Sequence, residues 1–142
     1  MMRKLDQRGI AALEFCLIAI PLFTLMFVIF DLGRYALTAQ SLRALANAGA
    51  REIMVGTTGN ACYTDAAITK TAPTCSGDPL STAQKQAAAP FLFRGGLTPT
   101  LNIPATGSSP ITVTASQPGF TMLMPIWGTK LNAPSASTLI PF

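Results

Sequence analysis

The chain has 142 residues, 49% of them hydrophobic and only 11% charged. A typical soluble domain is about 25% charged, and disordered chains are charge-rich and apolar-poor, so the composition argues against both an ordinary solvated domain and a disordered chain. There is no histidine and the formal charge is +4; the missing imidazole removes the commonest general base, the commonest metal ligand and every triad that needs it.

Residues 1–9 (MMRKLDQRG) carry Arg3, Lys4 and Arg8 against Asp6. Residues 10–30 then form an apolar run, IAALEFCLIAIPLFTLMFVIF, in which only Glu14 and Thr24 have polar side chains. A helix needs about 20 apolar residues to cross a bilayer core, so this run is long enough to span. Its basic flank, against Asp31 and Arg34 at the far end, predicts a cytoplasmic N-terminus by the positive-inside rule. A cleaved secretory signal fits poorly, because its apolar region runs about 7–15 residues and ends at a small-residue site. Pro21 predicts a bend or loosened turn over residues 17–21, since proline removes one helical hydrogen bond and is tolerated in membrane helices at that cost.

The helix is expected to continue to about Val55, with Gly56 or Gly59 as its stop. Leu32, Tyr35, Ala39, Leu42, Ala46, Gly49 and Ile53 recur at alternating spacings of three and four. That is the seam of an amphipathic helix packing on another helix. Gln40, Arg43, Asn47 and Arg51 lie off the seam and are expected to face water or a groove. The small residues Ala46 and Gly49 would let a partner helix approach closely.

Glu14 is the most informative residue of the apolar run. A carboxylate there costs roughly 2.5–3.5 kcal/mol on insertion scales and usually has a partner; the alternative is that it snorkels at the interface and does nothing. It is the fifth residue after Gly9, where the basic segment meets the apolar one. Arg8-Gly9-Ile10-Ala11-Ala12-Leu13-Glu14-Phe15 resembles the processing pattern of type IV prepilins. The longer stretch RGIAALEFCLIAIPLFTLMFVIFDLGRYALTAQSLRALANAGARE resembles the TadE family of pseudopilins from tight-adherence (Tad, or Flp) pilus systems. The features that carry the resemblance are Gly-x-x-x-x-Glu-Phe, the proline midway along the run, Asp-x-Gly-Arg after it, and an Ala-rich helix ending Ala-Arg-Glu. The closing part of the chain, Ile111-Thr-Val-Thr-Ala-Ser, an apolar Pro/Gly loop and a last short strand, is similar to the end of TadE-like heads.

The resemblance implies a prepilin peptidase that cuts after Gly9, a mature chain beginning at Ile10, and Glu14 and Phe15 as part of the recognised pattern. It further implies that Glu14 pairs with an N-terminal amine, its own or a neighbour's; a carboxylate buried in a fibre needs such a cation. Many pilins begin with an N-methylated Phe, and Ile10 departs from that. The implied partners are the inner membrane, the peptidase and other pilins or pseudopilins. The implied location is the bacterial inner membrane, with the head periplasmic, and then a cell-surface pilus.

Beyond the helix, Cys62 and Cys75 flank a polar loop in what is expected to be an oxidising compartment, which argues for a disulfide. The rival, a two-Cys metal site, lacks histidine and a carboxylate cluster. Cys16 lies in the apolar run and is expected only to pack. Residues 80–93 read as a short helix capped by Asp78 or Ser81, broken early by Pro90 and ended by Gly95 and Gly96. Residues 101–103, 111–116 and 137–140 read as short strands, with Pro104, Gly107, Pro110, Pro118 and Gly119 as punctuation. The loop over residues 120–127 (FTMLMPIW) is unusually apolar. Either it tucks under the sheet, or Met122, Leu123, Met124, Ile126 and Trp127 form a patch that meets another subunit, a membrane surface or an adhesion target.

The expected fold class is α+β: a basic leader (1–9), a long helix (10–55, spanning over 10–30) and a small head (56–142) with the disulfide loop and a few antiparallel strands. No phosphate loop, nucleophile elbow or metal-ligand cluster occurs in the sequence, so neither an enzyme nor a cofactor is expected, and no small-molecule substrate. Half of the +4 charge belongs to residues 1–9, and the rest of the chain carries seven basic and five acidic side chains. The charge is thus a topology and processing signal rather than a nucleic-acid footprint. The principal reading is a minor pilin. The alternatives are an uncleaved single-span assembly or adaptor protein, and a periplasmic lipid- or peptide-binding module on a signal anchor.

Overall fold

The computed structural model describes residues 7–56, 62–104 and 110–141. Most of residues 1–9, the expected leader, and the candidate helix stop Gly59 and turn residue Gly107 lie outside the described residues. The fold is α+β: one long helix, then a small head of short helices and a three-stranded antiparallel sheet.

Helix α1 runs Gln7–Val55, 49 residues, or roughly 73 Å at about 1.5 Å per residue. It passes through Pro21 without interruption, so the expected loosening there does not break the helix. Proline removes a single N–H, and its fixed φ is itself helical. The Thr24 hydroxyl donates to the Ile20 carbonyl at 2.8 Å.

The distal half of α1 carries the core. Leu42, Leu45, Ala46, Ala50 and Ile53 are buried against Leu101, Ile103, Ile111, Val113 and Ala115 of the sheet region. Burying a Leu, Ile or Val side chain stabilises by about 1.5–3 kcal/mol, so this stripe holds the head on the helix. Strands β1 (Thr100–Asn102), β2 (Ile111–Ser116) and β3 (Ser135–Ile140) form the sheet in the order β1-β2-β3. In β2 the alternation of Ile111, Val113 and Ala115 with Thr112, Thr114 and Ser116 matches strictly alternating burial, as the period of two requires. The Thr138 hydroxyl donates to Asn47 Oδ1 at 2.7 Å, tying β3 to α1 beside the apolar stripe.

Two short helices complete the head. Helix α2 (Cys62–Thr69) occupies what the sequence reading treats as a loop. An eight-residue helix is marginal alone; this one is tethered by Cys62, by the Thr64 hydroxyl donating to the Met54 carbonyl at 2.6 Å, and by the Tyr63 hydroxyl donating to the Pro141 carbonyl at 3.2 Å. Helix α3 (Thr82–Ala88) starts at the N-cap Ser81 in a capping box with Gln84. Asp78 accepts from the Leu80 amide and pairs with Lys85. Pro90 ends α3, and the chain passes into 3₁₀ turns over Pro90–Gly96, interrupted by a kink at Arg94 and Gly95. The expected helix over residues 80–93 is therefore two pieces, because Pro90 cannot donate into α3.

Candidate functional site

The first candidate is the free half of α1. From Gly9 to Phe30 no residue is buried, and Gly9, Ile10, Glu14 and Phe15 are all exposed on it. This apolar stretch is covered by none of the described residues, and its composition and length suit a bilayer span. Glu14 stands among Leu13, Phe15, Leu17 and Ile18, each more than half exposed. Cys16 is a free, exposed cysteine on the same stretch.

The second candidate, the helical seam, is divided by the structure. Leu32 is exposed, and Tyr35 and Ala39 are half-buried. Leu42, Ala46, Gly49 and Ile53 are buried. A Cβ built on Gly49 would lie 2.9 Å from Leu101 Cδ2 and 3.2 Å from Val113 Cγ1. The close approach made possible by Ala46 and Gly49 is therefore to the chain's own sheet, which corrects the expectation that a second helix sits there. The stripe is also wider than a helix–helix seam, taking in Leu45 and Ala50, because it faces a sheet. Gln40, Arg43, Asn47 and Arg51 are exposed off the stripe.

The third feature is one that sequence reasoning did not assign. Asp31, the first polar residue after the apolar run, is 1% exposed. Its Oδ2 accepts the backbone N–H groups of Leu123 and Met124, each at 3.0 Å. Its Oδ1 lies 3.4 Å from Arg34 Nη1. A carboxylate buried with two amide donors is well satisfied. The signal available in the sequence was Asp31 itself, an acid at the edge of a span, together with the apolar loop that needed an attachment.

That attachment divides the apolar loop. Phe120 is buried, with its ring centroid 6.3 Å from that of Tyr35 and the Arg34 guanidinium 5.3 Å above it. Met122, Met124 and Trp127 are half-buried, whereas Leu123 is 74% exposed and Ile126 60%. Neither expectation for this loop holds for all of it: Phe120 tucks in, and Leu123 and Ile126 project next to the end of the apolar half of α1.

A recess of about 320 Å³ opens beside Phe120, lined by Arg34, Arg94, Leu92, Leu97 and Gln117 among others. Gln117 is 1% exposed; its Nε2 donates to the Leu92 carbonyl at 2.9 Å, and its Oε1 has no hydrogen-bond partner among the described residues. At the opposite end of the head, Cys62 and Cys75 form the expected disulfide, with Cα atoms 5.6 Å apart. Cys75 is part of the core and Cys62 packs against it, so the bridge fixes α2 to the sheet side of α1.

No curated protein and no solved structure matches the chain significantly. Residues 9–51 match the family described as TadE-like protein, a segment that begins at the glycine before the apolar run and ends within α1, leaving the head outside it. Over that segment the long helix is similar to that of TadE-like proteins, a family associated with Tad pili and with the membrane.

Proposed function

We propose that the chain is a minor pilin of a Tad pilus, cut after Gly9 by a prepilin peptidase on the cytoplasmic face and held in the inner membrane by residues 10–30 with its head in the periplasm. The observation that carries this reading is the free half of α1. More than twenty consecutive residues are left unburied by the described residues, and lipid or the like helices of neighbouring subunits would bury them. One helix serves both environments: it is a membrane span before assembly and a fibre-core helix after it. Glu14, the fifth residue of the mature chain, would pair in the fibre with an N-terminal amine. The head stays outside that core, and its sheet keeps the distal half of α1 for itself, so subunit contacts fall on the proximal half. The system serves surface adhesion.

The test is mass analysis of the N-terminus after co-expression with the cognate peptidase. A chain beginning at Ile10 is expected, and replacement of Gly9 by a bulky residue is expected to leave the full-length form. An intact Met1 under active peptidase would instead support an uncleaved, single-span adaptor.

A further inference from the structure

We infer that the recess between Arg34 and Arg94, together with the loop pinned to Asp31, is a site for the headgroup of an anionic phospholipid in the leaflet where α1 leaves the membrane. Four observations converge on it. The first is depth. Arg34 lies one helical turn beyond Asp31, about 4.5 Å along the axis, and the polar layer of a bilayer is about 5–7 Å deep on each side. With the hydrocarbon ending near Phe30, the recess is at phosphate level.

The second is charge. Arg34 and Arg94 both line the recess. The loop amides occupy Asp31 Oδ2, and Arg34 reaches Oδ1 only at 3.4 Å. The guanidinium therefore keeps most of its five N–H donors for another anion, and that fork suits a phosphate.

The third is an unmet acceptor. Gln117 lines the recess, and its buried Oε1 has no partner among the described residues, a state that costs free energy. A glycerol hydroxyl on the headgroup would supply the missing donor.

The fourth is continuity. Leu123 and Ile126 are the exposed apolar side chains of the loop, and Asp31 holds that loop where the exposed apolar face of α1 ends. Their burial in the acyl region beside a bound headgroup extends the membrane-facing surface of α1 onto the head. The headgroup site depends on the membrane placement of α1 but not on cleavage after Gly9 or on fibre assembly, so the two readings fail separately.

The test uses the full chain reconstituted in nanodiscs of phosphatidylcholine alone or of phosphatidylcholine and phosphatidylglycerol in equal parts. Native mass spectrometry after release counts retained lipid. Trp127, the single tryptophan, reports proximity through quenching by lipids brominated near the top of the acyl chain. Phosphatidylglycerol is expected to be retained about tenfold over phosphatidylcholine. Arg94→Gln, at an exposed side chain, and Arg34→Gln are each expected to remove most of that preference, a charged hydrogen bond being worth a factor of about ten. Leu123→Ser with Ile126→Ser is expected to weaken the quenching. Equal retention of the two lipids, an unchanged preference in Arg94→Gln, or an unquenched Trp127 would overturn the inference. Displacement of phosphatidylglycerol by millimolar inorganic phosphate would overturn it too, since the recess would then be a site for soluble anions.

Discussion

Asp31 and Leu123 stand 92 positions apart in the chain and are joined by a 3.0 Å hydrogen bond, from the Leu123 amide to the Asp31 carboxylate. The Met124 amide reaches the same oxygen. The bond places the C-terminal part of the head on the helix at the point where the apolar run stops. The distal core holds the sheet to residues 42–53, and Asp31 adds a second attachment about 16 Å nearer the apolar half of α1, at about 1.5 Å per residue. A head held at two points cannot swing freely on α1.

Removing the Asp31 carboxylate leaves two amides without their acceptor. Hydrogen bonds to a charged group contribute about 1.5–3 kcal/mol each, and water can reach part of the vacated site. Asp31→Ala is therefore expected to destabilise the head by about 3 kcal/mol. Asp31→Asn keeps an oxygen acceptor without the charge and is expected to cost about half as much. Denaturant unfolding in detergent, followed by Trp127 fluorescence, measures both, and hydrogen exchange at Leu123 and Met124 locates the loss. Wild-type exchange at those two amides in Asp31→Ala would contradict the attachment.

Gly49 separates a structural role from an intermolecular one. Alanine in a helix interior gains about 1 kcal/mol over glycine, while its methyl would press on the flexible Leu101 side chain at 2.9 Å. The two effects are of similar size, so Gly49→Ala is expected to lie within about 1 kcal/mol of wild type. Gly49→Val adds two more methyls where Val113 also stands close, and overpacking of this kind costs about 1–3 kcal/mol before the poorer helix propensity of valine is added. A loss of about 3 kcal/mol in the isolated subunit is expected, measured by thermal or denaturant unfolding. If Gly49→Val unfolded like wild type but failed only in assembly, the glycine would be serving a neighbour rather than the sheet.

The disulfide acts on the other end of the head. Cys62 and Cys75 are 13 positions apart, and closing a loop of about that length stabilises by ~3 kcal/mol in the chain-entropy model. The double variant Cys62→Ser, Cys75→Ser is expected to lose roughly that much, with helix α2 melting first, because α2 is too short to persist without its tether. Amide exchange across residues 62–69, compared with and without reductant, measures this. The sheet amides are expected to stay protected under conditions where those of α2 are not.

These sites differ in how far the amino-acid sequence discloses them. The long apolar helix, the alternation in β2, the Ser81 cap and the cysteine pair rest on local signals: run length, period, a capping triplet and spacing. Each of these elements is found where those signals place it. The seam is half legible. Spacings of three and four state that Leu42, Ala46, Gly49 and Ile53 are covered, but cannot state by what, because a helix and a sheet demand the same stripe. The extra width contributed by Leu45 and Ala50 was the clue to a sheet. Helix α2 gives no usable periodicity in eight residues. The Asp31 attachment was out of reach for a different reason: its partners are backbone amides of a distant loop, and a backbone amide has no residue-type signature.

The proposed exchange between membrane and fibre gives the Glu14 prediction its sign. In the bilayer the carboxylate costs roughly 2.5–3.5 kcal/mol, a cost that favours leaving for any environment offering a cation. Glu14→Ala removes that cost, so the subunit becomes more comfortable in the membrane while losing the amine partner proposed for it in the fibre. Both changes act in the same direction. Cleavage after Gly9 is expected to proceed, since the scissile bond is five residues away. Incorporation into sheared pili is expected to fall by about tenfold or more, because each 1.4 kcal/mol is a factor of ten. Glu14→Gln, which keeps the shape but cannot pair with an ammonium as an ion, is expected to behave like alanine. N-terminal mass analysis of the membrane fraction and immunoblots of the sheared fraction measure the two steps separately. Wild-type incorporation by both variants would remove amine pairing as the reason for the carboxylate, and uncleaved Glu14→Ala would move its role from assembly to recognition by the peptidase.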